Sequence, residues 1–380
     1  LSLSNDTNST GTKLLSPDQI ARVRRVLIYR LGSFGDTVVL LPCLHKIASI
    51  FPNAERRMLT NVPVHGKAPA ASAVIGDSGL VHSYIRYSVG ERSPLALLEI
   101  VLAIRRFKPD LLIYLAKPRG EAAIARDRKF FRVCGIKRDS IVGLPVGDLA
   151  INLPLGNGLW EHEASRLART IAPLGPIDIN DPRSFDMCLN AAEHQAAAEA
   201  VAPLGGGPLI ACGPGTKMQA KDWGTENWRG LLDQLAVDFP HHGLVLIGAA
   251  DDFAVSEEAS GAWDGRKLNL CGKLAPRVSA AVLARTELFM GPDSGPMHVA
   301  SANGVPVASP FASRTRRGMW FPVGAQHQVV WHEMPCSNCD LEVCIENQRR
   351  CLSTIGVEEM VQAARLAWEA GERKRAALPA

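Results

Sequence analysis

Three glycine-bearing turns in this chain carry residues able to do chemistry. The first is Arg30-Leu31-Gly32-Ser33-Phe34-Gly35-Asp36, whose two glycines let the backbone bend tightly beside a ligand just before a helix N-terminus. A dinucleotide loop needs G-x-G-x-x-G, whereas this turn has G-x-x-G followed by a carboxylate. A carboxylate at a helix start repels the phosphate that the helix dipole attracts. Asp36 therefore has two readings: N-cap of its own helix, a common role for Asp, or a general base aimed into a cleft. Spacing alone leans towards the cap.

The second turn is Gly213-Pro214-Gly215-Thr216-Lys217, running on to Lys221-Asp222-Trp223. It lacks the G-K-[ST] ending of an ATPase phosphate loop. Thr216 and Lys221 can hold a diphosphate, one as a hydroxyl donor and the other as a cation that balances charge on a leaving group. The plain alternative is a surface loop with solvated lysines. The third turn is Gly291-Pro292-Asp293-Ser294-Gly295-Pro296-Met297-His298. Here Asp293 or Ser294 caps the helix that follows, and the amides around Gly295 stay available to a phosphate. His298 lies one turn in. A lone histidine is more often structural, but at a Gly-rich helix start in a cleft it is a fair ligand candidate.

The elements needed to position these turns are legible as alternating strands and helices. Strands are predicted at Val26–Tyr29, Arg57–Thr60, Leu80–Ile85, Leu111–Leu115 and Ser140–Val142, with helices at Thr37–Ile50, Pro94–Phe107, Glu121–Val133 and Trp160–Ala172. The rhythm restarts with strands at Pro208–Cys212, Gly243–Ile247, Lys267–Leu270, Leu288–Met290 and Val305–Ser309. Helices Thr225–Phe239, Asp252–Ser260, Arg277–Arg285 and one opening near Ser294 lie among them, and a last helix runs from Val357 to about Arg373. Each half reads as an open, mostly parallel α/β sheet with helices on both faces, and Gly175–Gly207 holds the linker. Such sheets bind ligands at their strand-to-helix turns, where the three motifs lie.

The length of 380 residues favours two domains, and 47% hydrophobic with 21% charged residues excludes a disordered, collagenous or coiled-coil chain. No apolar run reaches the ~18 residues that span a bilayer. The polar stretch Leu1–Asp18 lacks the pattern of a signal peptide and predicts a disordered arm over residues 1–20. Its two sequons, at Asn5 and Asn8, follow from a composition rich in Asn, Ser and Thr. Net charge is uneven: residues 1–180 hold 24 Lys/Arg against 15 Asp/Glu, and residues 181–380 hold 18 against 23. That split points to an anionic partner of the N-terminal half or, equally, to a solvated helix face. The basic region lacks the interleaved aromatics of a nucleic-acid surface, so no nucleic-acid partner is expected. Cys336, Cys339, Cys344 and Cys351 cluster after Pro335 in spacings unlike paired C-x-x-C, which favours a loop with free thiols over a zinc site.

Together the three turns resemble the lipopolysaccharide heptosyltransferases, glycosyltransferase family nine. The motif ending in Asp36, then Lys221-x-Trp223, then Asp293-Ser294-Gly295-Pro296-Met297-His298 occur in that family's order, and Asn303-Gly304-Val305-Pro306-Val307, Arg316-Arg317, Pro322-x-Gly324 and the cysteine-rich tail extend the likeness. It covers the chain from Arg25 to about Trp368. One departure is Trp223-Gly224, where the family often has Trp-Pro.

The resemblance implies a GT-B fold: two Rossmann-like domains facing across a cleft. It places an acceptor-binding domain at 21–182, a nucleotide-sugar domain at 183–355, and a terminal helix at 356–380 that packs back on the first. It implies inverting, metal-independent transfer with no cofactor, and this sequence has no Asp-x-Asp pair. By the same likeness Asp36 is the catalytic base, and Lys221 steadies the leaving group. Gly35, Thr216, Lys217, Asp293, Ser294, Gly295, Pro296, Met297 and His298 bind the donor, for which ADP-heptose is the first expectation. Arg119, Arg126, Lys129 and Arg132 are the expected contacts to an anionic, lipid-linked glycan at the cytoplasmic face of the inner membrane. Two other readings stay open: another donor or acceptor on the same fold, and a nucleotide-sugar or glycan binder without turnover.

Overall fold

The computed structural model describes residues 14–62, 70–88, 90–91 and 93–377. The chain forms two compact units: one from the chain up to Leu155 together with Glu161–Cys188, the other from Gly156–Trp160 and from Leu189 onward. The division at Cys188 falls six residues beyond the expected boundary at 182.

The first unit begins with α1 (Pro17–Arg22), inside the stretch expected to be a disordered arm. Ser16 and Gln19 form a reciprocal capping box there, and Pro17 occupies the first turn. Leu15 N–H donates to the Pro173 carbonyl, 3.0 Å, so this end of the chain is tied down. The rest of the expected arm, with both sequons, lies outside the described residues. Then follow β1 (Arg25–Tyr29), α2 (Phe34–Val38), α3 (Leu41–Ile50), β2 (Glu55–Asn61), α4 (Ala71–Ile75), β3 (Ser83–Tyr87), α5 (Pro94–Phe107), β4 (Leu111–Tyr114), α6 (Glu121–Val133) and β5 (Ile141–Val142). A short hairpin of β6 (Pro154–Gly156) and β7 (Leu159–Trp160), whose residues from Gly156 to Trp160 are counted with the second unit, interrupts the run before α7 (Glu163–Thr170). The five main strands are parallel in the order β3-β2-β1-β4-β5. The single helix expected over Thr37–Ile50 is two, because Pro42 cannot donate to the Val38 carbonyl and its ring crowds it.

The second unit contains α8 (Ala191–Val201), β8 (Leu209–Cys212), α9 (Thr225–Asp238), β9 (Gly243–Leu246), α10 (Phe253–Ala259), β10 (Lys267–Asn269), α11 (Pro276–Leu283), β11 (Phe289–Met290), α12 (Gly295–Ala302), β12 (Val307–Phe311), β13 (Gln328–Trp331), α13 (Arg350–Ser353) and α14 (Val357–Ala376). Its six strands are also parallel, in the order β10-β9-β8-β11-β12-β13. Both sheets thus wind outward from their first strand in two directions. The reversal lies between β1 and β4 in one and between β8 and β11 in the other, and a crevice opens there at the carboxyl ends.

One difference from expectation concerns the second unit. α8 lies inside the expected linker, capped by Asn190 with Glu193 and pinned to α11 by Arg277. Within the second unit α14 gives its apolar face to β12, β13 and α9. Met360, Val361, Ala364 and Ala367 join the core around Leu232, Leu235 and Ala308.

Candidate active site

In the first unit the crevice is flanked by the turn after β1 and the turn after β4. Gly32 makes the first of these possible: its φ is +155°, and a Cβ there would stand 2.7 Å from Asp36 Cβ. Ser33 is the N-cap of α2 and Asp36 is its third helical residue. Both the Ser33 N–H and its hydroxyl donate to Asp36 Oδ2, at 2.7 Å each. Asp36 is therefore not the N-cap that spacing favoured: Ser33 holds that position, and Asp36, one turn in, reaches back to it. Its side chain remains 26% exposed, enough to be reached from solvent. Arg30, itself buried, stands 3.7 Å from Asp36 Oδ1 and donates to the Asp36 and Leu115 carbonyls. Burial alone would raise the Asp36 carboxyl; Arg30, the two Ser33 bonds and the more distant Lys117 outweigh it and hold the group below its ordinary value. Gly35, expected on the donor side, is buried in α2 beside Asp36.

The turn after β4 presents Lys117 and Arg119. Arg119 is not free: it donates to Asp127 Oδ2 at 2.6 Å and to the Tyr29 hydroxyl at 3.1 Å. Arg126 binds the other oxygen of Asp127 at 3.1 Å, and the Tyr114 hydroxyl donates to Oδ2 at 2.8 Å. Burial raises the Tyr29, Tyr87 and Tyr114 hydroxyls, so all three stay protonated donors. Two of the four basic residues expected to meet an acceptor are thus tied to Asp127, which spacing did not reveal. Lys129 and Arg132 are exposed on α6. A cavity of about 310 Å³ lies between the carboxyl end of β3 and α5, lined among others by Arg86, Tyr87, Ser88, Glu91 and Glu99. Neither Arg86 nor this cavity was evident from the sequence pattern.

In the second unit the turns after β8 and β11 flank the corresponding crevice. Lys221 and Asp293, 72 positions apart, meet there: Lys221 Nζ lies 2.6 Å from Asp293 Oδ2 and donates to the Asp293 carbonyl at 3.1 Å. His298 Nε2 is 3.6 Å from Asp293 Oδ1, and Trp320 stands edge-on to the His298 ring. Burial pushes the Asp293 carboxyl up; the Lys221 charge and His298 overcome this and hold it far below the usual carboxylate range. Ser294 is the N-cap of α12, yet its buried Oγ has no hydrogen-bond partner and caps nothing. The first-turn amides of Gly295 and Met297 have no acceptor within the helix, and Pro296 has no N–H to satisfy. Met297 contributes its backbone only, its side chain being fully buried. Thr216 Oγ1 accepts from the Met218 N–H at 3.4 Å, and Lys217 is exposed.

The Lys221 loop is braced by residues the motifs did not single out. Trp223 is buried edge-on against Trp228 and donates to the Ile355 carbonyl at 3.0 Å. Arg349 binds the Asp222 carbonyl and carboxylate at 2.7 and 2.9 Å. The cysteine-rich segment closes over the same loop, with Ala220 N–H donating to the Glu342 carbonyl and Cys344 N–H to Gln219. Cys336, Cys339, Cys344 and Cys351 are free thiols. Among the described residues no group of three or more His, Cys, Asp or Glu is placed to hold a metal ion.

The family model described as "Glycosyltransferase family 9 (heptosyltransferase)" matches residues 116–349, well over half of the chain. That span contains Lys221 and the Asp293–His298 turn but not Asp36. None of the curated protein sequences matches the chain. Among solved structures, a family 9 glycosyl transferase from Veillonella parvula superposes with a TM-score of 0.70 at 18% identity, covering 94% of this chain and 99% of that one. ADP-heptose lps heptosyltransferase II of E. coli gives 0.62 at 16% identity over 92% and 99%. E. coli heptosyltransferase WaaC, solved with ADP-2-deoxy-2-fluoro heptose, gives 0.59 at 17% identity over 89% and 98%. At these identities the likeness is one of fold, and the fold is that of the GT-B heptosyltransferases.

Proposed function

We infer the reaction from one premise: this chain belongs to glycosyltransferase family 9, the heptosyltransferases, and is a glycosyltransferase. We propose that it moves a heptose from a nucleoside-diphosphate donor, ADP-heptose, to a hydroxyl of an anionic, lipid-linked glycan of the lipopolysaccharide inner core, with inversion at the anomeric carbon. The observation that carries the donor half is the Lys221–Asp293–His298 cluster beside the uncapped α12 N-terminus and the orphaned Ser294 hydroxyl. Free amides, an unpartnered hydroxyl and a lysine at the crevice of a doubly wound sheet form a site for a diphosphate.

In the proposed step the acceptor oxygen bonds to the anomeric carbon as the carbon–oxygen bond to the diphosphate breaks. The acceptor proton passes to Asp36, and the bonding pair leaves on the nucleoside diphosphate. Lys221, Thr216 and the Ser294–Gly295 backbone stabilise that developing charge without a metal or cofactor. Asp293 orients sugar hydroxyls, with Lys217 and His298 near the diphosphate. On the acceptor side Lys117, Lys129 and Arg132 meet the anionic glycan, and Arg119 and Arg126 do so from their fixed places on Asp127. The enzyme works at the inner face of the inner membrane; among the described residues no helix is long and apolar enough to cross a membrane.

The test is Asp36→Asn with ADP-heptose. Loss of a general base lowers turnover by roughly 10²–10⁴-fold, while the rise in melting temperature given by ADP-heptose, a ligand of the folded state, stays as in the wild type. Stabilisation by UDP-sugars alone would refute the donor, and turnover by Asp36→Asn equal to wild type would refute the base.

A further inference from the structure

Helix α5 is apolar on two faces. Ile100, Val101, Ile104 and Phe107 point into the core of the first unit. The opposite side carries Leu95, Leu98 and Leu102, which are 74%, 52% and 53% exposed. At 100° per residue these three lie within about 60° of one another; the same outward sector ends in Arg105 and Arg106 and has one carboxylate, the exposed Glu99, at its edge, so its basic end is still net positive. Arg105 Nε also donates to the Val133 carbonyl at 3.0 Å, which brings the end of α6 alongside with Val133, 55% exposed. The result is an apolar stripe about 10 Å long, three leucines in a row at 1.5 Å rise per residue, with a basic end where Lys108 follows the two arginines.

We propose that this face of α5 is a docking surface for a lipid bilayer bearing anionic headgroups. A helix apolar on both sides is normally covered on both sides, and three exposed leucines on successive turns exceed the scattered apolar residues of an ordinary surface. The covering partner must accept leucine side chains and, at one end, place negative charge on Arg105, Arg106 and Lys108. An anionic leaflet does both: the leucines enter the acyl boundary, and the long basic side chains reach up to the phosphates. A second copy of the chain is the weaker fit, because so few side chains fall well short of the ~800 Å² per partner of a stable interface. The surface deepens the proposed function and rests on it in one respect, the lipid-linked acceptor; the assay below reads docking without turnover, so the two fail separately.

The full chain is sedimented with vesicles of phosphatidylcholine alone and of an equal mixture with phosphatidylglycerol. Wild type partitions to the mixed vesicles, less so at high salt. Leu98→Glu with Leu102→Glu lowers that partitioning by roughly a hundredfold, and Arg106→Glu lowers it by roughly tenfold. Circular dichroism and melting temperature unchanged from wild type show that these exposed positions leave the fold intact. The proposal is overturned if wild type ignores mixed vesicles, if the leucine variant binds them as well as wild type, or if sedimentation velocity shows a wild-type dimer that the leucine substitutions dissociate.

Discussion

Lys221→Met probes the donor site through its effect on Asp293. The pair is close and largely dry: 2.6 Å between Nζ and Oδ2, with the two side chains 15% and 8% exposed. At an effective dielectric of ~20 the gross attraction at that distance is about 6 kcal/mol. Much of it offsets the desolvation of the two charges, so the net worth of the pair is small. Removing one partner is different, because the survivor keeps its desolvation cost, and buried pairs broken this way lose about 3–5 kcal/mol. His298, 3.6 Å from the other oxygen, takes up part of the loss, which sets the expectation at about 3 kcal/mol. For a unit of this size that lowers the melting temperature by about 6–12 °C.

The pH dependence gives the sharper check. In the wild type the Asp293 carboxyl is held below its unfolded value, so its contribution is fully present above the unfolded pKa and is lost as pH falls through the folded one. Without Lys221 the burial that pushes this carboxyl up is less opposed, and the group takes up a proton at a higher pH than in the wild type. Protonation then relieves the buried charge of the variant alone, so the stability gap between the two proteins narrows as pH is lowered from 7 towards 4. Denaturant unfolding of both across that range measures it. Adding Asp293→Asn to Lys221→Met removes both charges and recovers most of the loss, with a coupling of about 2 kcal/mol. A gap under about 1 kcal/mol at pH 7, or one that widens on acidification, refutes the reasoning.

Asp127→Ala leaves the buried Tyr114 hydroxyl without its acceptor and costs about 2 kcal/mol, the value of a hydrogen bond to a charged group; Asp127→Asn keeps an acceptor oxygen and recovers most of it in the same unfolding assay. Burial pushes the Cys43 thiol up to about 12, and Cys43 and Cys212 are both fully buried, while Cys339 is exposed. Iodoacetamide at pH 8 therefore modifies Cys339 in the native chain and reaches Cys43 and Cys212 only after unfolding, as peptide mass mapping will show.

What could be read from the sequence was local, and what could not was long-range. α5 and α6 begin and end where the pattern placed them, because the signals are covalent: Ser93 then Pro94 open one, and Lys108 in the left-handed conformation before Pro109 closes it. α8 went unread because Pro176, Pro182 and Gly205–Gly207 mark its surroundings as loop. The local evidence for a helix was there, in Asn190 and Glu193 at capping-box spacing. For β3 the pattern began at Leu80, and the strand begins at Ser83, since pairing with β2 and not hydropathy sets its register. The site follows the same rule. Asp36, Lys221, Asp293 and His298 stood out by turn chemistry, but that Lys221 grips Asp293 and that Arg349 fastens Asp222 depends on the fold bringing distant segments together, whereas Asp127 holds Arg119 and Arg126 from eight and one positions away, a local pairing that the run of basic residues hid.

In the proposed reaction Asp36 has a structural and a chemical role, and these use different oxygens of one carboxylate, which spacing could not separate. Oδ2 takes both Ser33 bonds and fixes the side chain, while Oδ1 faces Arg30 at 3.7 Å, too far for a hydrogen bond, and in the proposed reaction is the oxygen that meets the acceptor. A base held in this way needs no further ordering when the acceptor arrives, which is the entropic part of catalysis. The same contacts lower its proton affinity, so it is a poor base for a free alcohol. In the proposed reaction this is tolerable only if the proton moves late, after bonding to the anomeric carbon has made the acceptor oxygen strongly acidic. The Asp36 carboxylate then serves first to aim the hydroxyl and only afterwards to take its proton. Activity should accordingly show no acidic limb from this group down to about pH 5, since the ionised form is already complete there.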